Sequence, residues 1–403
     1  MNEVRALVEA FDGANARGER CALATVVSVE GSSYRRPGAR MLVCEGGTST
    51  GTISAGCLES DVIEHAKRVI GAGEVLLVEY DTASTSDELA WGLGLGCNGI
   101  VRVMVEPLAS GSLYVEALRR SCEANATPVW VATVYQHAPS ESATGAARIE
   151  TGARLLINEE GEVSREKLSD RVAAMLESEV RALSLGEIRS ATRVCDVDGV
   201  AVKVFVETLL PPVPLVLFGA GHDALPIVEL ARALGWQTEV VDPQARPASL
   251  SRFAMADRVI LSRPEDVGAQ VTITPRTLTL LMSHNYSHDL ALLRHLLASP
   301  ARYIGVMGPR KRTERMLSEL ARGDDTFRPE EADLARLYSP AGLDIGANAP
   351  AEIALSIIAE MRAVLDGRRG RMLRERRGSI HGSPGDGERV PLTEEHILPV
   401  AAS

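Results

Sequence analysis

The sequence has few aromatic residues: of its 403 residues, 3 are Trp, 7 are Tyr and 5 are Phe, together 4%. Hydrophobic residues nevertheless make up 45% of the chain, so the cores are expected to consist mainly of Ala, Val, Leu and Ile. No apolar run reaches the roughly 18 residues that span a bilayer. The N-terminal segment lacks the apolar stretch and cleavage site of a signal peptide. We therefore expect a cytoplasmic globular protein of two or three domains with no membrane partner.

An excess of positive charge is also absent. The chain has 43 Lys and Arg residues against 54 Asp and Glu, a net charge of -11. This is the opposite of the field that a duplex nucleic-acid binder needs, so nucleic acid is not an expected partner. No two of the six cysteines form a C-x-x-C pair, which argues against a structural zinc site. In the cytoplasm we expect all six to be free thiols.

Glycine is abundant, with 35 residues in the chain. Much of it lies in three clusters, at 31–56, 92–99 and 219–221. Because glycine lets the backbone turn tightly and approach a ligand closely, these clusters mark candidate sites.

The first half of the chain contains a weak internal repeat. Residues 1–110 read as a helix followed by strands and glycine loops, and 111–212 repeat three of the strand segments in the same order. The matches are ATVV (24–27) with ATVY (132–135), GARMLV (38–43) with GARLLI (152–157), and VRVMVEPL (101–108) with VKVFVETL (202–209). The glycine and cysteine loops of 1–110 are missing from 111–212. We interpret 111–212 as a degenerate second copy, and the loops as not needed for folding.

A proline cluster at 211–214 precedes a change of pattern. Over 213–366 apolar strands alternate with helices, which predicts a parallel sheet covered on both faces, a Rossmann-like α/β domain. Residues 367–403 are first basic and then polar, and we expect a loosely ordered tail.

The turn Gly219-Ala220-Gly221-His222-Asp223-Ala224 joins a predicted strand to a helix, and Asp242 ends the next strand. This pattern predicts a dinucleotide site, with pyrophosphate at the helix start and the acid on the ribose. The alternative is a turn kept for helix packing, with another ligand or none. The large polar side chains of His222 and Asp223 favour that alternative.

Two further segments belong to the same predicted edge of the sheet. His284 and His288 follow the fourth strand, where ligand contact, acid–base chemistry or metal binding could occur, although no third metal ligand is evident. The alternative is that Ser287 or Asp289 caps the next helix. Arg310 lies in a basic loop that opens a helix, which suits a phosphate or is simply a solvated turn.

In the first half, Cys57 follows Gly56 where a glycine-rich loop runs into a helix, and Cys97 lies in a second glycine loop. A thiol at a helix N-terminus is a candidate nucleophile or soft-metal ligand. The alternative for any cytoplasmic cysteine is a small buried hydrophobe. Arg35 and Arg36, in a Ser/Gly/Pro loop, are candidate anion contacts or an exposed pair with no partner.

Seven ordered segments of the chain resemble the XdhC/CoxI family, accessory proteins of molybdenum hydroxylases of the xanthine dehydrogenase type. The segments are GSSYRRPGARMLV, GTISAGCLESDV, WGLGLGCNGI, LVLFGAGHDALPIVELARALGW, LLMSHNYSHDLALL, YIGVMGPRKRTERML and SPAGLDIGANAPAEIALSIIAEM. The resemblance covers about 1–108 and 213–382 and implies a CoxI-type N-terminal domain joined to a Rossmann-like domain. The family's loops usually have Gly where Ala55 stands and often Gly where Asn98 stands.

The resemblance implies a chaperone that turns over no substrate of its own. It would bind the molybdenum cofactor, protect it while a cysteine desulfurase installs the terminal sulfido ligand, and deliver it to the apo-hydroxylase. Cys57 would then be a molybdenum ligand or sulfur-handling group, and Arg35 and Arg36 would hold the cofactor's phosphate. We also expect a homodimer, on general grounds alone.

An NAD(P)-dependent oxidoreductase is the alternative function. It would use Gly219, Gly221 and Asp242 for the nicotinamide dinucleotide and His284 or His288 as the acid–base group. This interpretation rests on the second half of the chain only, and it gives no reason for the glycine and cysteine loops before residue 110.

Overall fold

The computed structural model describes residues 2–31, 33–81, 99–124, 126–137, 149–184, 190–242, 244, 246–323 and 329–376. The chain divides into two compact units, Met1–Pro212 and Val213–Ser403, and the division falls within the proline cluster. Across the described ranges, no helix has both the length and the apolar character needed to cross a membrane.

In the part of the first unit that the structure describes, there are two antiparallel sheets and four helices. The strands of the first sheet are β1 (Cys21–Gly31), β2 (Arg40–Cys44), β3 (Ser49–Gly51), β4 (Leu76–Asp81) and β5 (Gly99–Leu108). Those of the second sheet are β6 (Val129–His137), β7 (Arg154–Ile157), β8 (Val163–Glu166), β9 (Ser190–Val197) and β10 (Val200–Leu209). The helices are α1 (Asn2–Ala16), α2 (Glu59–Ala72), α3 (Leu113–Arg120) and α4 (Asp170–Ser184).

The two sheets have the same topology. Their strand orders are β3-β2-β1-β5-β4 and β8-β7-β6-β10-β9, so each strand of the second sheet takes the place of the strand five earlier. The register shifts at equivalent points as well, beside Val27 in β1 and beside Tyr135 in β6. These two residues pack together with Met104 and Phe205 in one buried cluster. The shared topology supports the proposal that 111–212 is a second copy of the unit formed by 1–110.

Two buried ion pairs join the sheets reciprocally. Arg40 of the first sheet pairs with Glu207 of the second, and Arg154 of the second pairs with Glu106 of the first. Arg40 and Arg154 are equivalent in the repeat, as are Glu106 and Glu207. Burial alone would lower the pKa of both guanidinium groups, but the facing carboxylates raise it above the ordinary value. Both guanidinium groups therefore stay charged at the junction of the two sheets.

The second unit is built on one parallel sheet. Its strands are β11 (Pro214–Phe218), β12 (Gln237–Asp242), β13 (Arg258–Leu261), β14 (Leu278–Leu281), β15 (Tyr303–Val306) and β16 (Leu337–Tyr338). The helices are α5 (Leu225–Ala233), α6 (Ala248–Arg252), α7 (Tyr286–Leu297), α8 (Arg310–Gly323), α9 (Glu331–Leu334) and α10 (Pro350–Leu365). Short 3-10 turns occur at His222–Ala224, Pro264–Ala269 and Leu373–Glu375.

The strand order β13-β12-β11-β14-β15-β16 reverses direction next to β11, as in a doubly wound sheet. Successive residues of β11 pack into the hydrophobic cores on opposite faces of the sheet: Phe218 on one face and Leu217 on the other. Both faces are therefore covered, which confirms the predicted α/β class with a Rossmann-like domain. The sixth strand, of two residues, was not expected from the sequence.

One expectation about the cysteines is wrong. Cys21 and Cys44 lie opposite each other on β1 and β2, and the structure joins them as a disulfide. Cys57, Cys122 and Cys195 are free thiols. The reason for the error is the strand register, which places two cysteines of distant sequence position directly opposite each other. Most of the predicted tail, 377–403, lies outside the described residues.

Candidate functional site

The Cys57 loop, residues 52–58, connects the end of β3 to the start of α2. Ile53 is fully buried beneath it and anchors it to the core that α2 shares with the first sheet. Two side chains, Ser54 and Glu59, accept hydrogen bonds from five of the loop's backbone N–H groups. The loop is thus a built structure rather than a loose glycine-rich connection.

Ser54 Oγ accepts hydrogen bonds from the N–H groups of Gly56, Cys57 and Leu58, at 3.1, 3.0 and 3.2 Å. The carboxylate of Glu59 accepts from the N–H groups of Ile53 at 3.2 Å, Ser54 at 2.8 Å and Leu58 at 3.2 Å, and from the Ser54 hydroxyl. Burial would raise the pKa of Glu59, but the hydrogen bonds from Ser54 and the backbone hold it below its ordinary value. Glu59 is therefore ionised at neutral pH.

Cys57 itself is half-buried and has a free thiol. Gly56 beside it has a φ of +108°, a conformation that favours glycine, and a Cβ built there would meet nothing within 4 Å. One side of the loop next to the thiol is therefore open. The N–H groups of Gly56, Cys57 and Leu58, which precede the first residue of α2, are bonded to Ser54 and Glu59 and not to the thiol.

Arg35 lies against the same loop. Its guanidinium donates to Thr52 Oγ1 at 3.2 Å, and to the two carboxylate oxygens of Glu3 at 2.9 and 2.6 Å. The Glu3 hydrogen bond raises the pKa of Arg35, so the group is a permanent cation. Arg36 is exposed. Cys97, in the second glycine loop, lies outside the described residues.

A polar cluster not predicted from the sequence joins the start of α2 to β4. Tyr80 Oη donates to Asp61 Oδ2 at 2.7 Å, and His65 Nε2 lies 3.2 Å from the same oxygen. Burial, followed by the hydrogen bond to Asp61, raises the pKa of Tyr80. The spacing of Asp61 and His65, four residues apart on a helix, was the available signal.

The second unit has a cavity of about 170 Å³ at the carboxyl edge of its sheet. It is lined by Gly219, Ala220, Gly221, Asp242, Gln244, Arg246, Ser283 and His284. A Cβ at Gly219, whose φ is +147°, would lie 2.3 Å from the carbonyl oxygen of Met282, so this position requires glycine. The cavity lies where an open α/β sheet binds ligands, at the reversal of strand order.

Asp242 is fully buried, and its carboxylate binds its own loop. It accepts hydrogen bonds from the Gln244 and Arg246 N–H groups at 3.0 and 3.2 Å. It also accepts from Arg246 Nε at 2.9 Å and from Ser249 Oγ at 2.6 Å. Burial would raise the pKa of Asp242, but Arg246 and Ser249 hold it low. A ribose could bind this acid only by displacing these partners.

The Asp223 carboxylate lies over the glycine turn. A Cβ at Gly221 would come within 2.3 Å of Asp223 Oδ1, and Asp223 Oδ2 lies 2.8 Å from His284 Nε2. His284 has a φ of 57°, unusual for a residue with a side chain, and its side chain is 64% exposed. A pyrophosphate in the usual position would meet this carboxylate.

Three other residues that the sequence placed at this edge of the sheet, His222, His288 and Arg310, do not line the cavity. His222 is exposed, and Arg310 is exposed and pairs with Glu314 at 3.4 Å. His288 is half-buried on α7. The N-cap of α7 is Asn285, whose side chain accepts from the His288 N–H at 3.1 Å, so the alternative of a cap by Ser287 or Asp289 is wrong.

Among the described residues, no three His, Cys, Asp or Glu side chains converge in a way that could hold a metal ion. His284 and His288 therefore gain no third ligand there.

Together the two units define an α/β protein in which an antiparallel, loop-bearing unit precedes a Rossmann-type domain. The family model described as "XdhC and CoxI family" matches residues 14–81, and the model "XdhC Rossmann domain" matches 215–361. The chain is 31% identical over 346 residues to a probable xanthine dehydrogenase subunit of Bacillus subtilis, a match that covers 85% of this chain and 92% of that protein. The chain belongs to the XdhC and CoxI family, as the sequence motifs predicted.

Two more relatives extend the comparison. The Escherichia coli molybdenum cofactor insertion chaperone PaoD is 23% identical over 350 residues, covering 86% of this chain and 84% of its own. A crystal structure described as a xanthine dehydrogenase from Bacillus halodurans is 30% identical with a TM-score of 0.69. That likeness covers 90% of this chain and 97% of the other.

Proposed function

We propose that the protein acts in molybdenum cofactor maturation, as a chaperone that binds the cofactor, protects it during sulfuration and delivers it to a hydroxylase of the xanthine dehydrogenase type. Family membership and the similarity to a protein named as an insertion chaperone support this role. The observation that favours the Cys57 loop as the site is a half-buried free thiol beside the open side of Gly56.

The donor set of the loop fits this cargo. A thiolate is a soft ligand of the kind that suits thiophilic metal centres, and Cys57 is the thiol that the loop presents. Arg35, next to the loop through Thr52, is a permanent cation that can pair with the phosphate of the cofactor. Glu3 now pairs with Arg35 and would yield to that phosphate, because it is an exposed partner. Binding and release are sufficient for this role, and no turnover is required.

The cavity of the second unit is proposed as a separate ligand site, with NAD(P) as the first ligand to test. Its position at the carboxyl edge of a Rossmann-type sheet favours a ligand there. The contacts of Asp242 and the position of Asp223 argue against a dinucleotide bound in the usual way, and hence against the oxidoreductase alternative. Titration with NADH and NADPH, followed by nucleotide fluorescence, tests this: tight binding together with electron transfer to an acceptor would favour the oxidoreductase.

Cofactor retention is the main test. The purified protein is incubated anaerobically with molybdenum cofactor, desalted and analysed for molybdenum and pterin. We expect the wild type and Cys195→Ala to retain cofactor and Cys57→Ala to lose most of it. If the wild type retains none, the chaperone function is wrong. If Cys57→Ala retains as much as the wild type, the function stands and the site is wrong.

The proposed partners need their own measurement. Wild-type protein loaded with cofactor is mixed with an apo-hydroxylase of the xanthine dehydrogenase type, with and without a cysteine desulfurase. Recovery of hydroxylase activity that requires both proteins supports delivery after sulfuration.

The proposed homodimer is tested by sedimentation, in which the mass should be twice the 43.1 kDa of the chain.

A further inference from the structure

The Cys57 loop satisfies its backbone in an unusual way. Five of its N–H groups, those of residues 53, 54, 56, 57 and 58, donate to only two side chains, Ser54 and Glu59. A helix start normally needs one Ser, Thr, Asp or Asn at the N-cap. Here the N-cap is Leu58, which has no capping side chain.

The two side chains depend on each other. An ionised carboxylate only accepts hydrogen bonds, whereas a hydroxyl has one proton to donate and two lone pairs. The Ser54 hydroxyl gives its proton to Glu59, so its oxygen accepts from Gly56 and Cys57 and shares the Leu58 N–H with Glu59. Glu59 thereby fixes the direction of the hydroxyl, and the hydroxyl fixes the backbone on both sides of the Cys57 Cα.

The connection between strand and helix does not need this arrangement. In the second sheet, the equivalent connection from β8 to α4 consists of residues 167–169 only, against 52–58 in the first. The longer, doubly clamped loop therefore serves something other than chain connection.

We propose that Ser54 and Glu59 are positioning residues, which hold the Cys57 backbone so that its sulfur faces the open side of Gly56. The inference rests on the proposed function of Cys57 as a ligand of the cofactor. Neither side chain needs to touch the cargo. Removing either one leaves the thiol accessible but no longer held in one direction.

The test combines a measurement on the loop with a measurement on the cargo. Ser54→Ala and Glu59→Ala are compared with the wild type by amide hydrogen exchange of the segment 52–58 and by molybdenum retention. We expect exchange in the segment to rise about tenfold, because each lost hydrogen bond is worth roughly one such factor. We expect molybdenum affinity to fall by about the same factor. The rate at which a small reagent such as iodoacetamide alkylates Cys57 should change less than about twofold, because the thiol stays accessible.

Conservative variants separate positioning from general damage. Ser54→Thr keeps the hydroxyl and should restore most of the molybdenum retention, whereas Glu59→Gln keeps only one of the two accepting oxygens and should restore only part of it. Ser60→Ala and Glu64→Gln, on the same helix, are matched controls that should behave as wild type. The inference is wrong if Ser54→Ala and Glu59→Ala retain molybdenum as the wild type does, or if exchange in 52–58 is unchanged. If the wild type itself retains none, the proposed function fails, and the exchange data still decide whether the two side chains clamp the loop.

Discussion

The two sheets of the first unit share a framework and differ in their loops. Both have the same strand order, a register shift at the same point and one member of each buried Arg–Glu pair. The first sheet adds the Cys57 loop, for which the second has the short connection 167–169. Because the second sheet folds without such a loop, the residues 52–58 are free to specialise. The framework residues should therefore control stability, and the loop residues should control ligand binding.

The largest effect is expected at the buried ion pairs. Arg40→Ala or Arg154→Ala leaves a carboxylate buried without its partner, which costs about 3–5 kcal/mol. If the two sheets are equivalent halves, the two losses should agree within about 1 kcal/mol. Urea unfolding of both variants measures them. A loss at one pair and none at the other would mean that the apparent symmetry has no energetic counterpart.

A smaller but still large effect is expected on the alkylation rate of the Cys195 thiol. Burial, and then the nearby carboxylate of Glu179, raise the pKa of Cys195 in the second sheet to about 11. At pH 8 only about 0.1% of such a thiol is thiolate, so its alkylation should be slow. The rate should rise about tenfold per pH unit until pH approaches the pKa.

Mass spectrometry of the Cys195 peptide, over pH 7 to about 11, measures this rate. The measurement uses a Cys97→Ser background, and Cys57 is followed in the same samples. A pH-independent rate at Cys195 would show that its environment is not the buried, acidic one seen here.

Tyr114 contacts the two equivalent arginines, Arg40 and Arg154, in different ways, so its substitution should affect the two ion pairs unequally. Its Oη accepts from Arg40 at 2.7 Å and donates to Glu207 at 2.8 Å, whereas Arg154 only stacks on its ring, 4.1 Å from the centroid. Tyr114→Phe keeps the ring and removes the hydroxyl, for a loss of about 1–3 kcal/mol. In double-mutant cycles it should couple to Arg40→Ala by more than about 0.5 kcal/mol and to Arg154→Ala by less. Equal coupling to both would contradict the difference in contacts.

The strands of the two units and the position of the Cys57 loop could be predicted from the sequence. Periodicity predicts strands such as 21–30 and 237–242 and the alternation of the second unit, because patterns of buried residues are local. The same reasoning could not predict that Arg40 meets Glu207, which is a long-range contact. The disulfide between Cys21 and Cys44 likewise depends on strand register.

The candidate sites show the same limit. The sequence alone makes the loop residues Gly56 and Cys57 candidates, because glycine and cysteine are residue types typical of binding loops and thiol chemistry. The roles of Ser54 and Glu59 were not found, since a Ser and a Glu five residues apart suggest no contact before the loop is folded. Asp242 matched a ribose-binding acid in spacing, but its hydrogen bonds to its own loop are visible only in the structure.

The smallest effect is expected at the ion pairs next to the two connections. Glu3 pairs with Arg35 beside the Cys57 loop, and Asp170 pairs with Arg165 beside the short connection of the second sheet. Both carboxylates are exposed, so Glu3→Gln and Asp170→Asn should each cost no more than about 1 kcal/mol. The hydrogen bond from Arg35 lowers the pKa of Glu3 in the folded state, so its contribution is present above the unfolded value of about 4.3 and is lost as pH falls through the folded value.

The two variants should differ in binding, although they agree in stability. Glu3→Gln frees the Arg35 guanidinium from its carboxylate, and we expect molybdenum cofactor to be retained up to about fivefold more tightly, the equivalent of about 1 kcal/mol. Asp170→Asn should leave retention unchanged, because the connection 167–169 has no cysteine or glycine loop. Cofactor retention by both variants, measured at two salt concentrations, tests whether Arg35 binds the cofactor. If it does, its attraction to the anionic cargo must weaken as the salt concentration rises. Weaker retention by Glu3→Gln at low salt would mean that Glu3 supports the loop instead of competing with the cargo.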